Sequence, residues 1–177
     1  MYDANGQQTG QVLSKDEVHA KGLWHASVHL WVVTSDGKIL LQYRAADKNV
    51  FPSCWDTSVA GHVSNGGSLK ETAVRETEEE IGLTISENEL ETLGYLSEEP
   101  DWLPGGKHRE HNTIFVVVKD FKLENLKVQQ EELTDLKLVT ADELEEMLSD
   151  TAKRKELSGH DDKLFELAIE YARRKSN

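Results

Sequence analysis

A glycine-rich loop that runs straight into a short acidic helix, Gly61 to Leu83 (GHVSNGGSLKETAVRETEEEIGL), constrains this chain more than any other stretch. Ser68 and Glu71 have the spacing of a capping box, in which the serine oxygen accepts from a first-turn N–H and the glutamate reaches back to the cap N–H. Leu69, Ala73, Val74, Thr77 and Ile81 recur near helical spacing, and Gly82 supplies a left-handed stop. A helix is therefore expected from about Leu69 to Ile81.

On that helix Glu76, Glu79 and Glu80 stand at i, i+3 and i+4 and crowd one face. Arg75 lies four residues from both Glu71 and Glu79, within reach of either. A solvated acidic face is one reading. The other is a site for a hard divalent cation with oxygen ligands, which would turn the repulsion of like charges at i, i+4, about 0.2–0.5 kcal/mol, into a gain.

A chain of 177 residues has the size of one ordinary domain. We expect a single domain over residues 1–177, with residues 1–24 as an N-terminal extension packed on it. The net charge of −13 argues against a nucleic acid polymer as partner, because phosphate backbones are bound by an excess of Lys and Arg. An anionic substrate would then need local cations or a bound metal. The single cysteine, Cys54, excludes an internal disulfide and reads as a small packing residue. With no signal peptide and no long apolar run, the chain reads as soluble and cytoplasmic, with no membrane partner.

Turn signals at Asp3, Asn5-Gly6 and Thr9-Gly10 suggest a small hairpin, and Ser14 with Glu17 opens a short helix that Gly22 stops. His25 to Thr34 and Ile39 to Arg44 read as paired strands, and near-continuous apolarity from Val28 to Val33 calls for cover on both faces. Trp55 to Gly61 reads as one short strand entering the glycine-rich loop. Further strands are expected at Glu91 to Leu96, Asn112 to Val118 and Leu133 to Val139, with a Pro- and Gly-containing loop, Pro100 to Gly106, before the second of these. Helices are expected from the Thr140–Glu143 capping box to about Leu148, and from about Asp161 to Arg174. Strands interleaved with helices in this way predict an α+β fold, a mixed sheet between helices.

The Gly61–Leu83 stretch resembles the Nudix box, G-x5-E-x7-R-E-U-x-E-E-x-G-U with U a bulky aliphatic. Gly61, Arg75, Glu76, Glu79, Glu80, Gly82 and Leu83 occupy its positions, whereas Gly67 replaces the first glutamate and Thr77 the first U. The resemblance implies a Nudix-type α/β/α sandwich with a mixed β-sheet. It also implies Mg2+ or Mn2+ held by Glu76, Glu79 and Glu80, and a loop that lacks the glutamate which usually supports it and pairs with the motif arginine.

Outside the box the chain resembles isopentenyl-diphosphate isomerase, itself a Nudix-fold enzyme. The likeness rests on the Tyr2–Gly10 segment, His19 and His25, the Leu40–Lys48 run and Trp55–His62. In that enzyme, histidines matching His19, His25 and His62 help bind a metal, and cations matching Arg44 and Lys48 grip the diphosphate. Read from this sequence alone, the histidines are equally compatible with structural hydrogen bonding. Isomerisation needs a cysteine where this chain has Ala60, and two glutamates of which only Glu110 is matched, the second falling near Asn112.

These departures favour a metal-dependent hydrolase of a diphosphate linkage in a small molecule, a nucleoside diphosphate linked to X or a related organic diphosphate. The alternatives are the isomerase and a non-catalytic ligand-sensing module. Glu76, Glu79, Glu80 and Glu132 are the candidate catalytic acids, with Glu131-Glu132 as a plain surface pair the other reading of the last. Trp55 and Trp102 are candidates to stack on a flat substrate group, against core or lid packing. His29 reads as a packing residue, and a homodimer is compatible with the implied fold.

Overall fold

A computed structural model describes residues 1–99 and 108–176, apart from the side chains of Lys15, Asp16 and His19. Trp102 and the whole of its loop, Pro100 to Gly106, therefore lie outside the described residues. The elements are α1 (Lys15–Lys21), β1 (His25–Val33), β2 (Ile39–Arg44), β3 (Trp55–Asp56), β4 (Val59–His62), α2 (Leu69–Ile81), β5 (Glu91–Glu98), β6 (Glu110–Val118), β7 (Leu133–Val139), α3 (Ala141–Ser149) and α4 (Asp162–Ser176).

The strands form one mixed sheet in the order β3-β2-β1-β6-β5, with β4 also pairing β1 and β7 pairing β2. At its centre β1 runs parallel to β6 from His25↔Glu110 to Val33↔Val118, and antiparallel to β4 from Ser27↔His62 to Leu30↔Val59. Every residue of β1 is buried, as its apolar run requires. Trp31 and Val33 pack with Leu144 of α3 and Phe165 and Ala168 of α4. Val28, Leu30 and Val32 pack on the opposite face with Ala73 and Ile81 of α2. This is the expected sandwich, and each fully buried side chain of this size contributes about 1.5–3 kcal/mol.

Helix α2 spans the expected residues because both of its ends are specified locally. Glu71 N–H donates to Ser68 Oγ at 3.0 Å, Ser68 N–H donates to Glu71 Oε2 at 2.8 Å, and Gly82 ends the helix at φ 66°. The strand expected over Trp55–Gly61 is instead broken into β3 and β4. Ser58 turns inward, donating to Leu40 O at 2.6 Å and accepting from Val32 N–H at 2.8 Å, so a side chain takes the place of ladder bonds between β1 and β2. Strands β5 and β6 also run further towards the 100–107 segment than their apolar residues suggested. Their polar ends pair with each other, Glu98 opposite Glu110 and Ser97 opposite His111.

Candidate active site

Two adjoining clefts open where the N-terminal half of β1 meets β4 and α2. The first, about 780 Å3, is lined by Glu76, Glu79 and Glu80 of α2, His25, Gly61 and His62 of the sheet, Glu132, and residues of the first thirteen. The second, about 250 Å3, shares Ala60, Gly61, His62 and Glu132 with it and continues to His29, Arg44, Phe51, Asp56, His108, Glu110 and His160.

In the first cleft the helix acids are unequal. Arg75 donates to Glu76 Oε1 and to Glu79 Oε2, each at 2.6 Å. Glu80 is 4% exposed, and its Oε2 makes no hydrogen bond. Burial, then the neighbouring Glu76 and Glu132 carboxylates, push its carboxyl well above the ordinary value, and burial also raises Glu76. Gly61 lies against Glu76 so closely that a Cβ there would overlap the Glu76 carboxylate. A buried carboxylate with an unpaired oxygen, beside two further carboxylates, fits a hard divalent cation such as Mg2+ or Mn2+.

A second group of donors sits between the clefts. His25 Nε2, His62 Nε2 and His108 Nε2 lie 3.1, 2.8 and 3.0 Å from one oxygen of the buried Glu110. Burial alone would raise the Glu110 carboxyl, but hydrogen bonds from His108, His25 and His62 hold it well below the ordinary carboxylate range. Donor atoms of His25, His62 and Glu110 all lie within 4.8 Å of one another, a set able to hold a metal ion. The sheet register creates the group, because His25 faces Glu110 across β1–β6 and Ser27 faces His62 across β1–β4.

A family model for the NUDIX domain matches residues 23–160. The chain belongs to the Nudix family. An uncharacterized Nudix hydrolase of Clostridium acetobutylicum is 36% identical over 140 residues, which cover 76% of this chain and 66% of that protein. Nudix hydrolase 3 of Arabidopsis thaliana is 34% identical over 149 residues, 82% of this chain but 19% of its own length. This chain therefore spans just under two thirds of the first of these relatives and about a fifth of the second. The isopentenyl-diphosphate Delta-isomerase of Dictyostelium discoideum is 27% identical over 161 residues, covering 77% of this chain and 65% of the isomerase. A crystal structure from Deinococcus radiodurans shares the fold, with a TM-score of 0.66 at 17% identity over 99% of this chain and 97% of that one.

Within this Nudix chain the structure brings most of the residues singled out from the sequence to one place and shows what three of them already contact. Arg44 lines the second cleft with partners on each of its nitrogens. Its Nε and Nη2 donate to the Val50 and Phe51 carbonyls at 2.9–3.3 Å, and Nη1 stands 3.3 Å from Asp56, which is fully buried. Trp55 lines neither cleft. It packs on the α3/α4 side, with the Lys137 ammonium 4.1 Å above its ring. Glu132 lines both clefts and is paired with Lys48, which lines the second.

His19 lies on α1 and its side chain is outside the described residues. Cys54 is buried, donates to Phe51 O at 3.2 Å and is pushed up to about 12 by burial, so it does not replace the missing cysteine at Ala60. His29, read as packing, faces the second cleft beside His160, Asp56 and Glu98, none of which carried a motif. The available signal for His29 was strand period, since His25, Ser27 and His29 alternate onto one face of β1.

Proposed function

We propose that this chain is a divalent-metal-dependent hydrolase that cleaves a phosphoanhydride bond in a small-molecule diphosphate, of the nucleoside-diphosphate-X type or a related organic diphosphate. The observation that carries the reading is Glu80, a carboxylate buried among other carboxylates with an oxygen left unpaired. Such a group is costly as it stands and becomes favourable beside a cation. Glu76, Glu79 and Glu80 would hold Mg2+ or Mn2+. When bound, the cation offsets the charge that builds on the phosphoryl oxygens.

The chain's own groups account for the remaining steps. Lys48, at the cleft rim, has donors to spare beyond Glu132 and meets the substrate phosphates. Glu132 opens onto both clefts and takes the proton of the attacking water. A new P–O bond forms as the anhydride P–O bond breaks, and the phosphate-bearing fragment leaves with the electron pair. Arg44 acts one step back, fixing the 50–51 wall of the second cleft. His25, His62 and Glu110, two nitrogens and one oxygen, would hold a second divalent ion of transition-metal type. Residues 1–24 belong to the same domain and wall the first cleft.

The test is an assay with Mg2+ or Mn2+ across nucleoside di- and triphosphates, nucleotide sugars, dinucleoside polyphosphates and prenyl diphosphates. Hydrolysis abolished in both Glu79→Gln and Glu80→Gln supports the reading. Conversion of isopentenyl diphosphate without phosphate release would sink it in favour of the isomerase, and tight binding without turnover would favour a sensor.

A further inference from the structure

The floor of the second cleft is more polar and more deeply buried than diphosphate chemistry requires. His29 is 3% exposed, His160 8% and Asp56 0%. Their rings and carboxylate are held from several elements. His29 meets His160 edge to face at 4.9 Å, and Phe51 covers the far side of His160 at 4.8 Å.

Hydrogen bonding fixes what each floor atom can offer. The Thr57 hydroxyl donates to Val59 O at 3.3 Å, so its oxygen accepts from His29 Nδ1–H at 3.4 Å. That leaves His29 Nε2 as a bare acceptor on a neutral ring, since burial and the adjacent His160 push His29 down to about 4. His160 is the reverse. Although burial opposes it, Asp56 and Glu98 favour its protonated form, and Nδ1–H donates to Glu98 Oε2 at 2.8 Å. Its Nε2–H points towards Asp56 Oδ2 at 3.8 Å, too far for a hydrogen bond. Asp56 Oδ2 makes no hydrogen bond at all, although the Arg44 guanidinium lies at ion-pair distance.

One donor, His160 Nε2–H, and one acceptor, His29 Nε2, thus face the cleft floor without hydrogen-bond partners among the described residues, while Asp56 Oδ2 behind them has the Arg44 ion pair. Asp56, Glu98 and Glu110 outweigh His160 and Arg44 there, so a second phosphate gains nothing, and a cation offers no acceptor to His160. A hydrocarbon would leave both atoms unpaired. A hydroxyl group satisfies both, accepting from His160 Nε2–H and donating to His29 Nε2.

We propose that the His29–His160 floor is a hydroxyl-binding subsite, and that the non-phosphate part of the substrate carries an alcohol rather than a bare hydrocarbon end. The proposal rests on the hydrolase reading for the phosphate half of the substrate and extends it to the other half.

A matched pair tests it: 2,3-dihydroxypropyl diphosphate against propyl diphosphate, assayed with the full chain and Mn2+. The expected result is a kcat/KM at least about tenfold higher for the hydroxylated compound, since a site built to bond a hydroxyl rejects the analogue that lacks it. His29→Leu, and independently His160→Phe, should bring the ratio to near one, with melting curves showing that each variant folds. Equal or reversed turnover in the wild type overturns the proposal and leaves the floor as a seat for structural water only. If neither compound is hydrolysed, calorimetric affinities decide. A tenfold binding preference for the hydroxylated compound keeps the subsite while the hydrolase reading falls, and equal affinities remove the subsite.

Discussion

Gly61 and Glu76 are fitted to one another, the bare backbone of the first lying where any side chain would overlap the carboxylate of the second. The obstruction comes from the flexible end of a glutamate, so Gly61→Ala should leave the fold intact and swing Glu76 out of the acidic cluster. Melting temperature should stay near the wild-type value while hydrolysis falls by about 10²-fold, the cost of an ångström-scale misplacement. Loss of structure in the variant would mean that the glycine serves packing instead.

Glu80 gives the metal-free protein a distinctive pH response. An unfolded chain releases this proton near 4.5, whereas the folded protein holds it to well above that value. Its contribution to stability is therefore complete below pH 4.5 and is lost as pH rises through the raised folded value, and Glu76 shifts the same way. Glu80→Gln should remove most of this decline and melt higher than the wild type in chelator at pH 8. Excess Mg2+ should raise the wild-type melting temperature and do little for the variant.

Arg44 and Lys48, neighbours in the sequence, should respond differently to removal. Arg44→Met removes one of the two cations beside the buried Asp56, the other being His160, and detaches the 50–51 wall, so unfolding in urea should show a loss of about 3 kcal/mol. Lys48→Met breaks a part-exposed pair worth about 1 kcal/mol or less, and its effect should instead be a higher KM.

Gly67 has room for a side chain. A Cβ there would meet only Ser64 O at 3.4 Å and Thr72 Oγ1 at 3.8 Å, both ordinary contacts, and the loop is already held by the Gly67 N–H bond to Ser64 O at 3.1 Å. Gly67→Glu should therefore fold normally and compete for Arg75, releasing Glu76 and Glu79. Tighter Mg2+ binding and faster turnover are the expected outcomes, read by calorimetry and steady-state kinetics.

The sequence revealed those parts of the molecule whose causes are local. Helix α2 could be read to the residue because Ser68, Glu71 and Gly82 specify its ends within one turn of each. The burial of β1 on both faces followed from five apolar residues among the six positions Val28 to Val33, interrupted only at His29. The second cleft could not be read in this way. Asp56, Glu98 and His160 come from β3, the end of β5 and the approach to α4, and only the strand register brings them together. Arg44 and Trp55 show the complementary difficulty. Residue type suggested what each side chain is able to do, but the backbone carbonyls at 50–51 and the Lys137 side chain had already engaged them.

The alternation along β1 divides one strand between two tasks. Its even positions, Val28, Leu30 and Val32, hold the α2 layer, and its last odd positions, Trp31 and Val33, the α3/α4 layer, while His25, Ser27 and His29 line the clefts. Backbone pairing with β4 and β6 is indifferent to which side chains those three positions carry. Chemistry at the mouth of the fold can therefore be rewritten one letter in two, with the scaffold's own text left standing.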